Sequence, residues 1–298
     1  MPQHNSDGMP AALICVSGWL CDPETLYRPL LDRLRLASAP VVQPWAVERF
    51  RGRLGQYRLT DELAAIEASA ARLRAERIDL VAFSAGCTGA LLFALHHPAR
   101  VRSLALMEPA WLGNNSGMPG DDQFLQAMDC LARLPSGRIL TAFQKATSTV
   151  PLRRSGTVLP YSSLTERCLE GRDSWRIWRR SDLWWGDLRK VTAPVYLPVG
   201  EYSTARAHVV ATTLADALSC AEVETVRGCQ HLDLLDAGAD ILAAGLIRTW
   251  QAARGIEDRS ADIPTNAQRP AQQCPGPDEF GPGEDNFGKG PGQSWTGH

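Results

Sequence analysis

The chain has 298 residues and a formal net charge of −2, which excludes the strongly basic surface that nucleic-acid or anionic-membrane binding requires. Its apolar runs are much shorter than the roughly 20 residues that a spanning helix needs, so no membrane span is predicted. The first lysine or arginine is Arg28, which leaves no positive region typical of a signal peptide. We therefore expect a cytoplasmic protein.

Composition predicts a large core, an insertion and a tail. Residues 256–298 are rich in Gly and Pro and show no apolar periodicity, which predicts a disordered tail. The remaining length suits one large domain. We expect the first part of its core at 1–110 and the second at 191–255. The irregular segment between them, 111–190, is predicted to form an inserted helical lid.

Short apolar runs alternate with segments of helical periodicity along the core. In chain order the first half predicts a strand at 11–16, a helix from Asp22 through Leu34, a strand at 41–47, a helix that opens at Thr60, a strand at 78–83, a helix at 85–97 and a strand at 101–107. The second half predicts a strand at 194–199, a helix at 205–218, a strand at 221–226 and a helix at 236–253. Because the strands are apolar throughout, we expect an α/β fold with a mostly parallel, doubly wound sheet and helices on both faces.

A serine stands where one predicted strand passes directly into a helix. Ser84 has Ala82 two residues before it and Gly86 two residues after it, a spacing close to G-x-S-x-G. In a tight strand–turn–helix, small neighbours avoid clashes while the strained serine projects its hydroxyl above the sheet. The pattern makes Ser84 a candidate nucleophile. An ordinary serine at a helix N-terminus is the alternative.

His231 is the histidine best placed to act as a base for that nucleophile. It lies in a loop between a late strand and the last helix, where open α/β sheets build their sites. A tetrahedral oxyanion also needs two donors. Ala85, after the nucleophile, supplies one backbone N–H, and Trp19 supplies the other from a loop in which Gly18 permits close approach. A plain glycine turn is equally compatible with that loop.

Several motifs between residues 11 and 253 together resemble the α/β-hydrolase superfamily. They are Ser17-Gly18-Trp19, Tyr27-Arg28-Pro29-Leu30, Phe83-Ser84-Ala85-Gly86, His97-Pro98-Ala99-Arg100-Val101, Gly200-Glu201-Tyr202 and Gly228-Cys229-Gln230-His231-Leu232. The resemblance implies an esterase, thioesterase or related enzyme that acts on a small-molecule acyl substrate through a serine ester. It implies no metal and no organic cofactor. An acyl transferase or cyclase, and a binding protein that has kept the fold, are the alternatives.

The expected triad acid is where the sequence departs from that family. Relatives usually carry Asp at the position of Ser203, and a serine does not stabilise an imidazolium as a carboxylate does. We expect Glu108, at the end of the strand beside Ser84, to be the substitute, since some relatives take their acid from this strand end. Glu201 and Asp233 remain as alternatives. On this interpretation, Ser203→Ala changes activity little.

Two further residue types in the sequence carry expectations. Four tryptophans cluster in the predicted lid, and two more lie outside that cluster: Trp175, Trp178, Trp184 and Trp185, with Trp19 and Trp111. These side chains suit contact with an apolar substrate, and a small hydrophobic core of the lid itself is the alternative. The eight cysteines are scattered without a CxxC pair, which predicts free thiols rather than disulfides or a zinc site.

Overall fold

The computed structural model describes residues 12–18, 23–37, 44–47, 58–110, 121–131, 133–151 and 183–261. The chain divides into two units, Met1–Asp258 and Arg259–His298, and all of the described strands belong to the first. These strands are β1 (Ala12–Val16), β2 (Pro44–Val47), β3 (Ile78–Phe83), β4 (Val101–Met107), β5 (Val195–Gly200) and β6 (Ala221–Val226). They form one sheet in the order β2-β1-β3-β4-β5-β6, and each neighbouring pair is parallel.

Helices connect these strands. The described helices are α1 (Pro23–Leu36), α2 (Leu59–Arg72), α3 (Gly86–His96), α4 (Asp121–Leu131), α5 (Ser136–Thr147), α6 (Ala205–Ala217), α7 (Leu234–Ala237) and α8 (Ala239–Ala261). Short 3₁₀ helices occupy Pro98–Arg100 and Trp185–Lys190. In α1, Leu26, Leu30 and Leu34 recur every fourth residue and are buried, which is the apolar stripe that docks a helix on a core.

Apolar side chains cover both faces of the sheet. On one face Leu80 of β3 belongs to the core cluster that includes Leu91 of α3 and Val210 of α6. On the other face its neighbour Val81 packs in the cluster that includes Leu246 of α8. Successive strand residues therefore point to opposite cores, which is why apolar side chains predominate in β1, β3, β4 and β5. The predicted parallel, doubly wound α/β fold is confirmed.

The last predicted helix differs from the observed structure. In place of one helix at 236–253, α7 and α8 follow each other with Gly238 between them. This glycine is packed so closely that an added Cβ would lie 2.8 Å from Cγ1 of Val226 and 3.2 Å from Sγ of Cys229. The close approach to the end of β6 accounts for the interruption, and α8 extends beyond the predicted end to Ala261.

Strand β6 also departs from the expected burial. Val226 is buried, but Glu222 is exposed and Glu224 is half-buried, because β6 is the edge strand of the described sheet. Arg248 of α8 donates to both carboxylates at 3.0 and 2.9 Å, and Tyr196 of β5 donates to Glu224 at 2.6 Å. Charged residues on an edge strand discourage pairing with a further strand.

Parts of the predicted lid and the predicted tail fall outside the described residues. Of segment 111–190, the structure describes α4, α5 and the residues from 183 onward, while 111–120, 132 and 152–182 are not described. The tail beyond 261 is not described either, so the lid and tail boundaries stay predictions. Within the described ranges, no helix is both long and apolar enough to cross a bilayer.

Candidate active site

Ser84 lies at the sharp turn between β3 and α3. Its backbone is in the left-handed region, with a φ of +51°, a conformation that costs a non-glycine residue about 1–3 kcal/mol. The turn is held by the Ser84 N–H, which donates to the carbonyl of Met107 at 2.9 Å. A Cβ at Gly86 would lie 2.5 Å from the carbonyl oxygen of Ser17, so the small residue after the turn is required by close packing.

Glu108 occupies a second strained turn beside the first. It follows β4, the neighbour of β3, and its φ is +46°. The Glu108 N–H donates to the carbonyl of Pro198 on β5 at 3.1 Å, and the Ala110 N–H donates to the carbonyl of Ser84 at 3.2 Å. These two bonds fix the Glu108 backbone between the ends of β3 and β5.

The Glu108 carboxylate is buried and makes three short hydrogen bonds. One oxygen, Oε2, lies 2.6 Å from Nδ1 of His231. The other, Oε1, accepts from the Gly200 N–H at 2.7 Å and from the Ser203 hydroxyl at 2.6 Å. Hydrogen bonds to a charged group are shorter and stronger than neutral ones, and three of them offset the cost of burying this carboxylate.

The two alternative carboxylates make other contacts. Glu201 is exposed and accepts from the Gly228 N–H at 2.8 Å. Asp233 is buried and accepts from the Gln230 N–H at 2.7 Å. Burial raises the pKa of Asp233, and the bonds from Gln230 partly oppose this rise. Both carboxylates therefore brace the loop that carries His231, while Glu108 contacts the imidazole itself.

Two aromatic rings hold the His231 imidazole in place. The ring of Phe83, the residue before Ser84, stacks on it at a centroid distance of 4.8 Å and an interplanar angle of 26°. The ring of Phe143 from α5 meets it edge-on at 5.7 Å. The imidazole is 6% exposed. By contrast, His96 and His97 are exposed at the far end of α3, as the sequence indicated.

The loop after β1 passes close to Ser84. A Cβ at Gly18 would lie 2.8 Å from Cδ1 of Phe83 and 3.2 Å from Cβ of Ser84, so glycine permits this approach. Ala85 is buried at the N-terminal end of α3. Trp19, the other residue expected to supply an oxyanion donor, lies outside the described residues.

A pocket of about 420 Å³, open to solvent, joins these residues to α4, α5 and α6. Its walls include Ser84, Glu108 and His231, and the residues that complete them are Pro109, Ala110, Phe124, Phe143, Thr147, Thr204, Arg206 and Ala207. The completing residues belong to no motif in the sequence, so none of them was predicted as a site residue. Trp184 is 46% exposed and Trp185 packs against the core, whereas the other tryptophans singled out above are not described.

Arg206 places a buried cation in the wall of this pocket. Its Nε and a terminal guanidinium nitrogen lie 2.9 and 2.8 Å from Oδ1 of Asp121, the first residue of α4. Its guanidinium carbon also lies 4.4 Å from the centroid of the Phe124 ring. Burial lowers the pKa of Arg206, and the charge of Asp121 partly offsets this. The pair fastens α4 to the start of α6 over the pocket.

Removal of one partner of this pair is expected to cost more stability than removal of both. Asp121→Asn removes the carboxylate that the Arg206 guanidinium contacts at 2.8 Å, which we expect to lower the free energy of unfolding by about 3 kcal/mol. The double change Asp121→Leu with Arg206→Met is expected to lie closer to the wild type, because both charges of the pair are removed together. Urea unfolding of the three proteins measures both effects, and equal stability of Asp121→Asn and the wild type would contradict the structural role.

Ser203 contacts Glu108, although the sequence predicted only a small effect of Ser203→Ala on activity. Its hydroxyl is buried and lies 2.6 Å from Glu108 Oε1. The serine stands where the resemblance predicted the usual acid, and it contacts Glu108, the residue predicted to substitute for that acid. No motif in the sequence links Ser203 to Glu108.

The described cysteines are free thiols, as expected: Cys15, Cys87, Cys130, Cys220 and Cys229. Burial raises the pKa of Cys87, and the Glu108 charge raises it further. Burial raises the pKa of Cys229 to about 11, with Asp233 the next contributor. These two thiols near the site therefore stay protonated at neutral pH and poorly nucleophilic.

Comparison with known proteins agrees with the observed fold. The family described as alpha/beta hydrolase fold matches residues 48–237. The chain therefore belongs to the α/β-hydrolase fold family. No curated protein matches the chain in sequence.

Solved structures share the fold at low identity. An esterase from Exiguobacterium antarcticum superposes with a TM-score of 0.65 and 14% identity, over 82% of this chain and 93% of the other. Naproxen esterase from Bacillus subtilis superposes with a TM-score of 0.56 and 17% identity, over 82% of this chain and 84% of the other. MenH from S. aureus superposes with a TM-score of 0.62 and 13% identity, over 82% of this chain and 94% of the other. At these identities the likeness establishes the fold alone.

Proposed function

We propose that the protein is a serine hydrolase that cleaves a carboxylic ester or thioester of a small, largely apolar substrate. The observation that carries this proposal is the 2.6 Å contact between His231 Nδ1 and Glu108 Oε2, in a pocket that Ser84 also lines. Membership of the α/β-hydrolase family and the likeness to two esterases support hydrolysis of an ester bond.

In the proposed acylation step, the Ser84 hydroxyl oxygen attacks the substrate carbonyl. His231 accepts the hydroxyl proton at Nε2, and its Nδ1–H donates to Glu108, which stabilises the imidazolium. The backbone N–H groups of Ala85 and Trp19 donate to the oxyanion of the tetrahedral intermediate. That intermediate then expels the alcohol or thiol, which takes the proton from His231, and leaves the acyl group on Ser84.

Deacylation repeats the same chemical steps with water as the nucleophile. His231 removes a proton from water as the oxygen attacks the acyl carbon, and it returns a proton to Ser84 as the serine oxygen leaves. The products are a carboxylic acid and the regenerated serine.

Acyl transfer to a substrate hydroxyl or amine is the alternative reaction, and it follows the same steps. Analysis of the products with and without an added alcohol distinguishes acyl transfer from hydrolysis.

The pocket suits a small acyl group with an apolar surface. Phe124 and Phe143 supply aromatic walls, and Ala110 and Ala207 add small apolar side chains to the same pocket as Ser84. Because the described walls beside Ser84 include these two rings, we expect compact acyl groups with an apolar surface to be preferred over polar ones.

Covalent labelling tests whether the serine is activated. A fluorophosphonate probe is expected to modify the wild-type protein at Ser84, because phosphonylation needs the same base and oxyanion donors as acylation. Mass spectrometry of the digested protein identifies the modified residue. A catalytically impaired binding protein would remain unlabelled, and labelling elsewhere would contradict the assignment of Ser84.

A further inference from the structure

The two oxygens of Glu108 have different partners. Oε2 contacts His231, and Oε1 accepts from the Gly200 N–H and the Ser203 hydroxyl. Gly200 is the last residue of β5, and Ser203 lies in the loop that follows it. Resting on the proposed roles of Glu108 and His231, we propose that Ser203 is a positioning residue that locks the Glu108 carboxylate in the rotation that presents Oε2 to His231.

The need for such a lock follows from the torsions of glutamate. The terminal torsion of a glutamate side chain is broad and roughly two-fold, so the side chain alone does not fix the carboxylate plane. Two donors that converge on Oε1 do fix it. The Gly200 N–H is a backbone donor, whereas the second donor depends on the Ser203 side chain.

Ser203 is itself held firmly. It is 3% exposed, and its N–H donates to the carbonyl of Gly200 at 3.0 Å. It pairs in an isolated β-bridge with Ser148, whose hydroxyl donates to the carbonyl of Tyr202 at 3.1 Å. The Thr149 N–H donates to the same carbonyl at 2.8 Å. The chain after α5 therefore clamps the loop that carries the hydroxyl.

The same contact explains why serine suits this position once Glu108 carries the negative charge. A carboxylate at 203 would lie against Glu108 Oε1, and two carboxylates at such a distance repel each other unless one is protonated. A hydroxyl donates a hydrogen bond without adding charge. In this pair Glu108 carries the negative charge, and Ser203 supports it with a neutral hydrogen-bond donor.

Steady-state kinetics on p-nitrophenyl esters tests the proposal. Ser203→Ala is expected to lower kcat by about tenfold to hundredfold, the range for a lost hydrogen bond to a charged group, with KM little changed. Ser203→Thr keeps a hydroxyl and is expected to recover most of kcat, while Ser203→Asp is expected to lower kcat at least as much as alanine. An unchanged kcat in Ser203→Ala, or equal losses in the alanine and threonine variants, would overturn the proposal.

Ser148→Ala is the matched control. It removes a buried hydroxyl from the same β-bridge, but that hydroxyl donates to backbone carbonyls and not to Glu108. We expect it to lower thermal stability slightly and to leave kcat little changed, because the Thr149 N–H and hydroxyl still donate to the Tyr202 carbonyl at 2.8 and 2.9 Å. If both alanine variants lowered kcat equally, the effect of Ser203 would belong to loop packing, and the proposal would be wrong.

A double variant separates positioning from packing. Because Ser203 acts through the Glu108 carboxylate, Ser203→Ala is expected to cause no further loss of kcat in a Glu108→Gln background. A merely structural residue would multiply the two losses instead, and that result would contradict the proposal.

A spectroscopic measurement keeps the test independent of turnover. In a ¹⁵N-histidine-labelled protein, the His231 Nδ1–H is expected to give a far-downfield signal that disappears in His231→Gln. Ser203→Ala is expected to shift or broaden this signal, and Ser148→Ala is not. A wild type that neither turns over esters nor reacts with fluorophosphonate would refute the proposed function. A signal that Ser203→Ala leaves unchanged, or one absent from the wild type, would refute the role of Ser203.

Discussion

Ser84→Ala is expected to lower kcat for p-nitrophenyl ester hydrolysis by about 10⁶-fold, the loss typical when a serine hydrolase is deprived of its nucleophile. Alanine keeps the Cβ of serine, so the left-handed backbone with a φ of +51° is strained equally in both proteins. The substitution therefore removes the hydroxyl and leaves the turn intact. Since no acyl-enzyme can form, fluorophosphonate labelling should disappear together with turnover.

Ser69→Ala is the matched control for this experiment. Ser69 is buried in α2, and its hydroxyl donates to the carbonyl of Ala65, one turn earlier, at 2.7 Å. It is not among the residues that line the pocket, and alanine has the higher helix propensity. We expect Ser69→Ala to keep wild-type kinetics. If Ser84→Ala turned over esters at the wild-type rate, Ser84 would not be the nucleophile.

Glu108→Gln is expected to lower kcat by about 10⁴-fold while the protein remains folded. The amide is isosteric with the carboxylate, and its oxygen is expected to stay where Oε1 now accepts from the Gly200 N–H and the Ser203 hydroxyl. The amide nitrogen must then face His231 Nδ1 and donate to it. This forces the neutral imidazole to carry its proton on Nε2, where it is unable to accept the proton of Ser84.

Glu201→Gln and Asp233→Asn are the comparisons for this change. Glu201 binds the Gly228 N–H and Asp233 binds the Gln230 N–H, so both support the same loop without contacting the imidazole. We expect each to reduce kcat far less than Glu108→Gln, with thermal unfolding measured on all three variants to exclude misfolding. A larger loss in either comparison variant would transfer the role of the acid to that residue.

The apolar pattern was sufficient to locate the elements of the sheet. The predicted strands at 78–83, 101–107 and 221–226 have the observed bounds, because each is a short run closed by turn residues. The pattern did not anticipate that one predicted helix is interrupted at Gly238, since that break arises from packing against Val226 and Cys229. The apolar pattern also did not anticipate that β6 is partly exposed, because the position of a strand at the sheet edge depends on strand order.

The sequence by itself determined the fold class and the candidate nucleophile and base, since an elbow such as that at Ser84 and a loop histidine such as His231 depend on local residue types and chain order. Only the tertiary structure decided which carboxylate reaches His231. That choice follows from the order β3-β4-β5, which sets the end of β4 between its two neighbours and brings Glu108 against Ser203. These contacts join residues about a hundred positions apart, and local patterns carry no information about such distances.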